Sequence, residues 1–232
     1  MHHLNEQEIE RREKLQRLID MGIEPYPAAE VAINTNSKII LETYTAGAVG
    51  FENVQIAGRL MSVRIMGKAS FAVIKDSAGT IQVYIAQDEI CTGDDKTWYN
   101  EVFKKLLDLG DFIFVSGPVF ITKTGEISVK AKELRLLSKS VKPLPVVKTD
   151  AEGNVHDAFS DPELRFRQRY VDLIVNPGVK ETFIARNKII SSIRNFCNGF
   201  GFMEMDTPVL QPIPVSISLC NFSLRSISCS FK

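Results

Sequence analysis

Cysteine, histidine and tryptophan are scarce in this chain of 232 residues, which holds four, three and one of them. The cysteines Cys91, Cys197, Cys220 and Cys229 form no C-x-x-C pair. That argues against a zinc ribbon and a disulfide scaffold, and it suits a reducing cytosol. His2, His3 and His156 are too scattered for a metal or catalytic set. The chain has no H-E-x-x-H, no G-x-x-x-x-G-K-[ST] and no G-x-S-x-G. No apolar run approaches the roughly 20 residues of a membrane span, and the polar N-terminus lacks an apolar signal core. Membrane insertion and secretion are therefore not expected. Net charge is also missing: 28 basic side chains balance 28 acidic ones. A global field that draws in nucleic acid is excluded, so any such contact must come from a local surface. By composition and spacing alone, nothing in the chain is an active site.

What remains is an ordinary globular composition, 44% hydrophobic and 24% charged, with enough length to bury a core. Residues 5 to 21 carry a thin apolar stripe of Ile9, Leu15, Leu18 and Ile19, with Asn5 and Glu8 as a capping pair and Gly22 as a stop. A helix packing on a neighbour and a helix touching RNA or a partner both fit this pattern. Pro25 and Pro27 then mark a linker. Residues 53 to 137 hold five β-type runs: VQIAGRLMSVRI, SFAVIKD, TIQVYIA, DFIFVSGPVFIT and EISVKAKELRLL. Between the third and fourth runs, Val102, Phe103, Leu106, Leu107 and Leu109 fall near helical spacing, and Gly110 follows. Three strands, a helix and two strands is the order of an OB-fold, a five-stranded Greek-key barrel.

After a linker, Asp161 and Pro162 read as the N-cap and first residue of a helix through PELRFRQRYVDLIV. A second helix is expected from about Val179 to Cys197, along Phe183, Ile184, Ile190, Ile193 and Phe196. Gly199-Phe200-Gly201 reads as its C-terminus, with a short strand and a proline-limited segment beyond. The fold class is α+β.

The barrel surface carries the candidate chemistry. In IQVYIA, Ile81, Val83 and Ile85 share the face that should fill the core, and Gln82 and Tyr84 share the other. An outward amide and phenol suit base-edge hydrogen bonding and stacking. Phe71 beside the Met66-Gly67-Lys68 turn is either a base-stacking platform or ordinary core. Arg64 and Glu126 lie next to turns, where charges are commonly just solvated. Arg165 and Arg169, four apart on one helix face, suit phosphate binding or, more commonly, intrahelical pairing.

Six stretches carry a resemblance: RIMGKASFAVIKD, TIQVYI, KTGEISV, ELRLLSKSVKPLP, DPELRFRQRYVDLIV and GFMEMDTPVLQPIP. In order and spacing they resemble the class II lysine–tRNA ligases of the bacterial type, over roughly residues 5 to 214. The resemblance implies an N-terminal helix and linker at 1–30, an OB-fold anticodon-binding domain at 51–140 and a linker at 141–160. The start of a class II catalytic and dimerisation domain follows at 161–214. It implies that Phe71 stacks on the central anticodon uridine, that Arg64 and Gln82 hydrogen-bond that base, and that Glu126 reads the first anticodon base. GFMEMDTPVL resembles the first class II motif, and so implies dimer-interface roles for Gly201, Phe202 and Pro208. The implied partners are a lysine tRNA, through its anticodon loop, and a second copy through residues 161–210. The location implied is cytoplasmic.

Beyond Pro214 the family pattern stops. VSISLCNFSLRSISCSFK holds six serines and two cysteines in 18 residues, and a frameshift, a misread splice or an early stop would produce such a segment. The later class II motifs, with their ATP-holding arginines and magnesium-placing carboxylates, are absent. No catalytic residue is carried over. ATP and magnesium belong to the full-length family and are not expected to bind this chain. The activity implied is ATP-dependent charging of tRNA with lysine by the full-length protein, to which this chain supplies anticodon binding and part of a dimer interface. The alternative is a non-catalytic OB-fold module that binds RNA or a partner.

Overall fold

A computed structural model describes residues 4–45, 48–91, 93, 95–145, 148–149, 155–156 and 159–205. The chain divides into two compact units, parting between Val171 and Asp172.

In the first unit, helix α1 (Glu6–Asp20) starts as its capping pair requires, with Glu8 reaching back to the Asn5 N–H at 3.1 Å. Of the apolar stripe only Leu18 is fully buried, while Ile9 and Ile19 are exposed. Polar clips do the rest. The Arg11 guanidinium donates to the Leu109, Ser140 and Lys142 carbonyls, and Lys14 pairs with Asp108 at 2.8 Å. Asp108 also receives the buried ammonium of Lys139 at 2.6 Å, and Lys139 reaches Asp111 at 2.8 Å. Burial opposes ionisation of Asp108, but the two lysines outweigh it and hold its pKa below the usual value. Asp111 is more deeply enclosed, and there burial wins and raises the pKa. A short helix that composition did not signal, α2 (Ser37–Thr43), is capped by Asn36, whose side chain accepts the Ile39 N–H at 2.9 Å.

Strands β1 (Val54–Met66), β2 (Ala69–Lys75) and β3 (Thr80–Ala86) form an antiparallel meander. The β1–β2 turn places Gly67 at φ +69°, a left-handed conformation that glycine adopts without a Cβ clash. The expected fourth run divides into β4 (Phe112–Gly117) and β5 (Val119–Ile121). Pro118, which has no N–H to give a ladder, stands between them. The expected fifth run divides into β6 (Ile127–Ala131) and β7 (Glu133–Ser138). Five runs thus become a seven-stranded sheet in the order β5-β6-β3-β2-β1-β4-β7. The β3–β6 pair is parallel and the other pairs are antiparallel. Lys130 and Lys132 N–H groups also donate to the Pro118 and Ser116 carbonyls at 2.8 Å. β6 therefore lies against the β4–β5 corner, where a Cβ on Gly117 would meet the Lys130 carbonyl.

The interior is filled by one face of each strand, including Ile56, Ile74, Ile81, Val83, Ile85, Ile113 and Val129. Tyr99, Val102, Phe103 and Leu106 close it from the connection between β3 and β4. That connection holds a short helix α3 (Gln87–Ile90) and then a π-helix, Trp98–Leu106, in place of the expected α-helix. Buried Tyr99 is satisfied by Ser70 Oγ at 2.8 Å and the Gly67 carbonyl at 3.2 Å. A two-stranded ribbon of β8 (Lys148–Thr149) and β9 (Val155–His156) follows.

The single helix expected from Pro162 is broken at Gln168 into α4 (Pro162–Arg167) and α5 (Arg169–Val175). Asp161 caps α4, accepting the Glu163 N–H at 3.1 Å. Arg165 and Arg169 therefore lie on separate helices, and Arg169 stacks over Phe166. In the second unit, α6 (Val179–Gly199) ends with Gly201 at φ +80°. Residues 202–205 form no strand. Among the described residues, no helix is long and apolar enough to cross a membrane.

Candidate nucleic-acid interface

The outer face of the sheet is organised by strand register. Arg64 on β1 pairs with Phe71 on β2, Phe71 with Tyr84 on β3, and Tyr84 with Lys130 on β6. One step along, Ser62 pairs with Val73, Val73 with Gln82, Gln82 with Ser128, and Ser128 with Phe120 on β5. Paired residues share a face, so side chains some sixty positions apart in the chain become neighbours. Most of them line an open groove of about 680 Å³, to which Arg64, Phe71, Gln82 and Glu126 all contribute. Ile81, Val83 and Ile85 point the other way and are buried.

Three aromatic rings form the groove's apolar wall. Tyr84 lies 5.2 Å from Phe71 at an interplanar angle of 55°, and 5.9 Å from Phe120 at 75°. Each ring is half-buried, so Phe71 is neither interior core nor fully exposed. Gln82 Oε1 accepts a hydrogen bond from the buried Ser128 Oγ at 3.3 Å, leaving the carboxamide NH₂ to donate. Arg64 and Glu126 are exposed. Glu126 is held by its backbone: its N–H donates to Thr122 Oγ1 at 3.0 Å, and its carbonyl accepts the Thr122 N–H at 2.9 Å. The arrangement combines flat apolar surface with a cationic donor, a neutral amide and an anionic acceptor. Such a set suits unpaired bases, whose faces stack and whose edges hydrogen-bond.

Sequence reasoning named four of these residues and noted Tyr84, but missed Phe120. The alternation Val119 in, Phe120 out is the signal that could have found it, but it spans only the three residues of β5. A second cavity of about 380 Å³ adjoins the groove, sharing Val73, Gln82 and Glu126 and adding Leu41 from α2. Asp76 positions α2 there, accepting the Ser37 N–H at 2.6 Å and the Ser37 hydroxyl at 2.7 Å. Burial works against the Asp76 carboxylate. These bonds, with those from Ala78 and Gly79, prevail and hold its pKa below the usual value.

The remaining candidates belong to the second unit. Phe202 is exposed, and its N–H donates to the Cys197 carbonyl at 3.1 Å beyond the Gly201 turn. Pro208 lies outside the described residues. Among the described residues, no group of three or more His, Cys, Asp and Glu side chains could hold a metal ion.

Comparison with known proteins matches residues 54–137 to the OB-fold nucleic acid binding domain. Residues 161–229 match the class II tRNA synthetases of the D, K and N type. The second match takes in most of residues 215–232, so it does not mark that segment off as a separate tail. A lysine–tRNA ligase of Christiangramia forsetii is 53% identical over 214 residues, covering 92% of this chain and 37% of the relative. One from Porphyromonas gingivalis is 52% identical over 212 residues, covering 91% and 36%. One from Azobacteroides pseudotrichonymphae is 52% identical over 211 residues, covering 91% and 42%. The chain thus spans well under half the length of these curated relatives.

Proposed function

Because this chain belongs to the class II lysine–tRNA ligase family, we propose that its sheet domain binds the anticodon loop of a lysine tRNA. The observation that carries this reading is the single groove to which Arg64, Phe71, Gln82 and Glu126 all contribute. In it, Phe71 stacks on the central uridine. The Gln82 NH₂ and the Arg64 guanidinium donate to that base's carbonyl oxygens. Glu126 accepts from the edge of the first anticodon base. Stacking supplies affinity whatever the base, and the edge contacts supply the choice of base.

The rest of the reading concerns the full-length protein. There, residues 51–140 serve as the anticodon-binding domain and 161–214 begin the catalytic domain, with Gly201, Phe202 and Pro208 at a homodimer interface. The whole enzyme charges tRNA with lysine at the expense of ATP, in the cytoplasm. ATP and magnesium belong to the charging reaction of the full-length enzyme. The 232-residue chain alone is expected to show no lysine-dependent ATP–pyrophosphate exchange.

The test is a titration of the chain with a lysine anticodon stem-loop and with loops altered at the central base. Tight binding that weakens when the central uridine is replaced supports the reading. Equal affinity for every central base would make the chain a general single-strand binder. No binding at all would remove the anticodon role.

A further inference from the structure

The groove holds more aromatic surface than one base needs. Phe120 lies on β5, and Glu126 closes the same hairpin immediately before β6. Phe120 pairs with Ser128, Ile121 with Ile127, and the Thr122–Glu126 hydrogen bonds close the turn. Glu126 and Ser128 lie on one face, as do Phe120 and Thr122, because side chains alternate along a strand. Glu126 is therefore a diagonal neighbour of Phe120, within reach of one planar ligand that touches both. Phe71 and Gln82 stand in the same diagonal relation across the β2–β3 pair, since Phe71 pairs with Tyr84 and Val73 with Gln82. The groove thus contains the same device twice, a phenylalanine face with an edge-reading side chain diagonally across from it. Tyr84 stands between the two, meeting both phenylalanines at a steep angle rather than face to face. Both phenylalanines are half-buried and line the groove, so each keeps ring surface within reach of a ligand.

We infer that Phe120 is a second base-stacking platform, holding the base whose edge Glu126 reads, so that the groove takes two consecutive bases on two separate rings. Tyr84 is the positioning residue that keeps the two platforms apart. The inference rests on the anticodon reading above and adds to it a second subsite and the residue that forms its floor.

The experiment is a titration of the 232-residue chain with two RNAs: an intact lysine anticodon stem-loop, and the same loop with an abasic site at the first anticodon position. Phe120→Ala and Phe120→Leu are compared with wild type. Leu keeps apolar contact with Tyr84 but has no π-face. Both variants should bind the intact loop more weakly, by between roughly fivefold and 150-fold. Neither should lose a comparable further factor on the abasic loop, because the partner of the missing ring is already gone. Two outcomes overturn the inference: Phe120→Leu binding the intact loop as wild type does, or losses that multiply independently on the abasic loop. If wild type itself fails to bind the intact loop, the anticodon reading falls. If wild type binds and Phe71→Ala weakens it while the Phe120 variants do not, only the second platform falls.

Discussion

The two faces of the sheet are built from alternate residues of the same strands, yet they are made for different work. On β3, Ile81, Val83 and Ile85 are buried at 2%, 0% and 0% exposure, while Gln82 and Tyr84 between them are half-buried. The inner face is closed mainly by apolar packing, with one buried polar contact, Ser70 to Tyr99. The outer face keeps rings partly wet and places a cation, an amide and an anion around them. Because each residue serves one face only, stability and recognition can be perturbed separately. A surface that carried both on the same side chains could not be dissected in this way.

The largest effect is expected on the inner face. Ile85→Ala should cost about 2 to 5 kcal/mol of folding stability, from lost apolar contact and the cavity left behind. Chemical denaturation measures this, and the folded fraction should still bind the stem-loop with near wild-type affinity. On the outer face, Phe71→Ala should weaken stem-loop binding by about 1 to 3 kcal/mol. Its cost to stability should be smaller, about 0.5 to 1.5 kcal/mol for the aromatic pair with Tyr84. If its melting point fell as far as that of Ile85→Ala, Phe71 would be core and the contrast between the faces would collapse. Gln82→Ala should act more narrowly still. Preference for uridine at the central position should drop by about 0.5 to 1.5 kcal/mol, the net worth of one hydrogen bond, with little change in melting. An unchanged base preference would remove Gln82 from the reading of that base.

A pH measurement sharpens the comparison from the edge of the sheet. The Asp76 pKa lies below its ordinary 3.8 in the folded chain. Its carboxylate therefore stabilises the fold above about pH 3.8, and that contribution is lost as pH falls through the lowered folded value. Asp108 acts in the same sense and Asp111, with a raised pKa, in the opposite one. Asp76→Asn should lower stability at pH 6 and should narrow the stability difference between pH 6 and pH 3, as read by thermal melting. A variant with the full wild-type acid dependence would show that other carboxylates carry it.

Much of the sheet was legible because β-strands write their burial in steps of two. The run IQVYIA announces its buried and outward residues without any partner strand. Phe71, Gln82, Arg64 and Glu126 were weak candidates singly, since a charge by a turn or a ring at a strand end is ordinary. Only the resemblance to a family raised them together. The strand breaks at Pro118 and Lys132 were less legible, because Ser116-Gly117-Pro118 and the charged residues around Lys132 do not by themselves say that the chain changes its strand neighbour. Phe120 was lost for that reason. The π-helix Trp98–Leu106 was read as an α-helix, since Val102, Phe103 and Leu106 satisfy either period over so short a span. Helix α2 was missed because its support is remote: Asp76, 39 residues on, fixes its first residue.

By itself, the sequence determined the strand alternation, the helix caps at Asn5 and Asp161, and the turn at Gly67. These depend on side chains and backbone within a few residues of one another. It also determined family membership, through motifs long enough to be specific. The tertiary structure alone decided that Arg64, Phe71, Gln82, Phe120 and Glu126 line one groove. It also decided that Lys139, 28 and 31 residues beyond Asp111 and Asp108, donates to both. The physical reason is shared. Hydrogen-bonded register between distant strands sets which side chains stand side by side, and burial of a charge is tolerable only where a partner of opposite sign arrives from elsewhere in the chain.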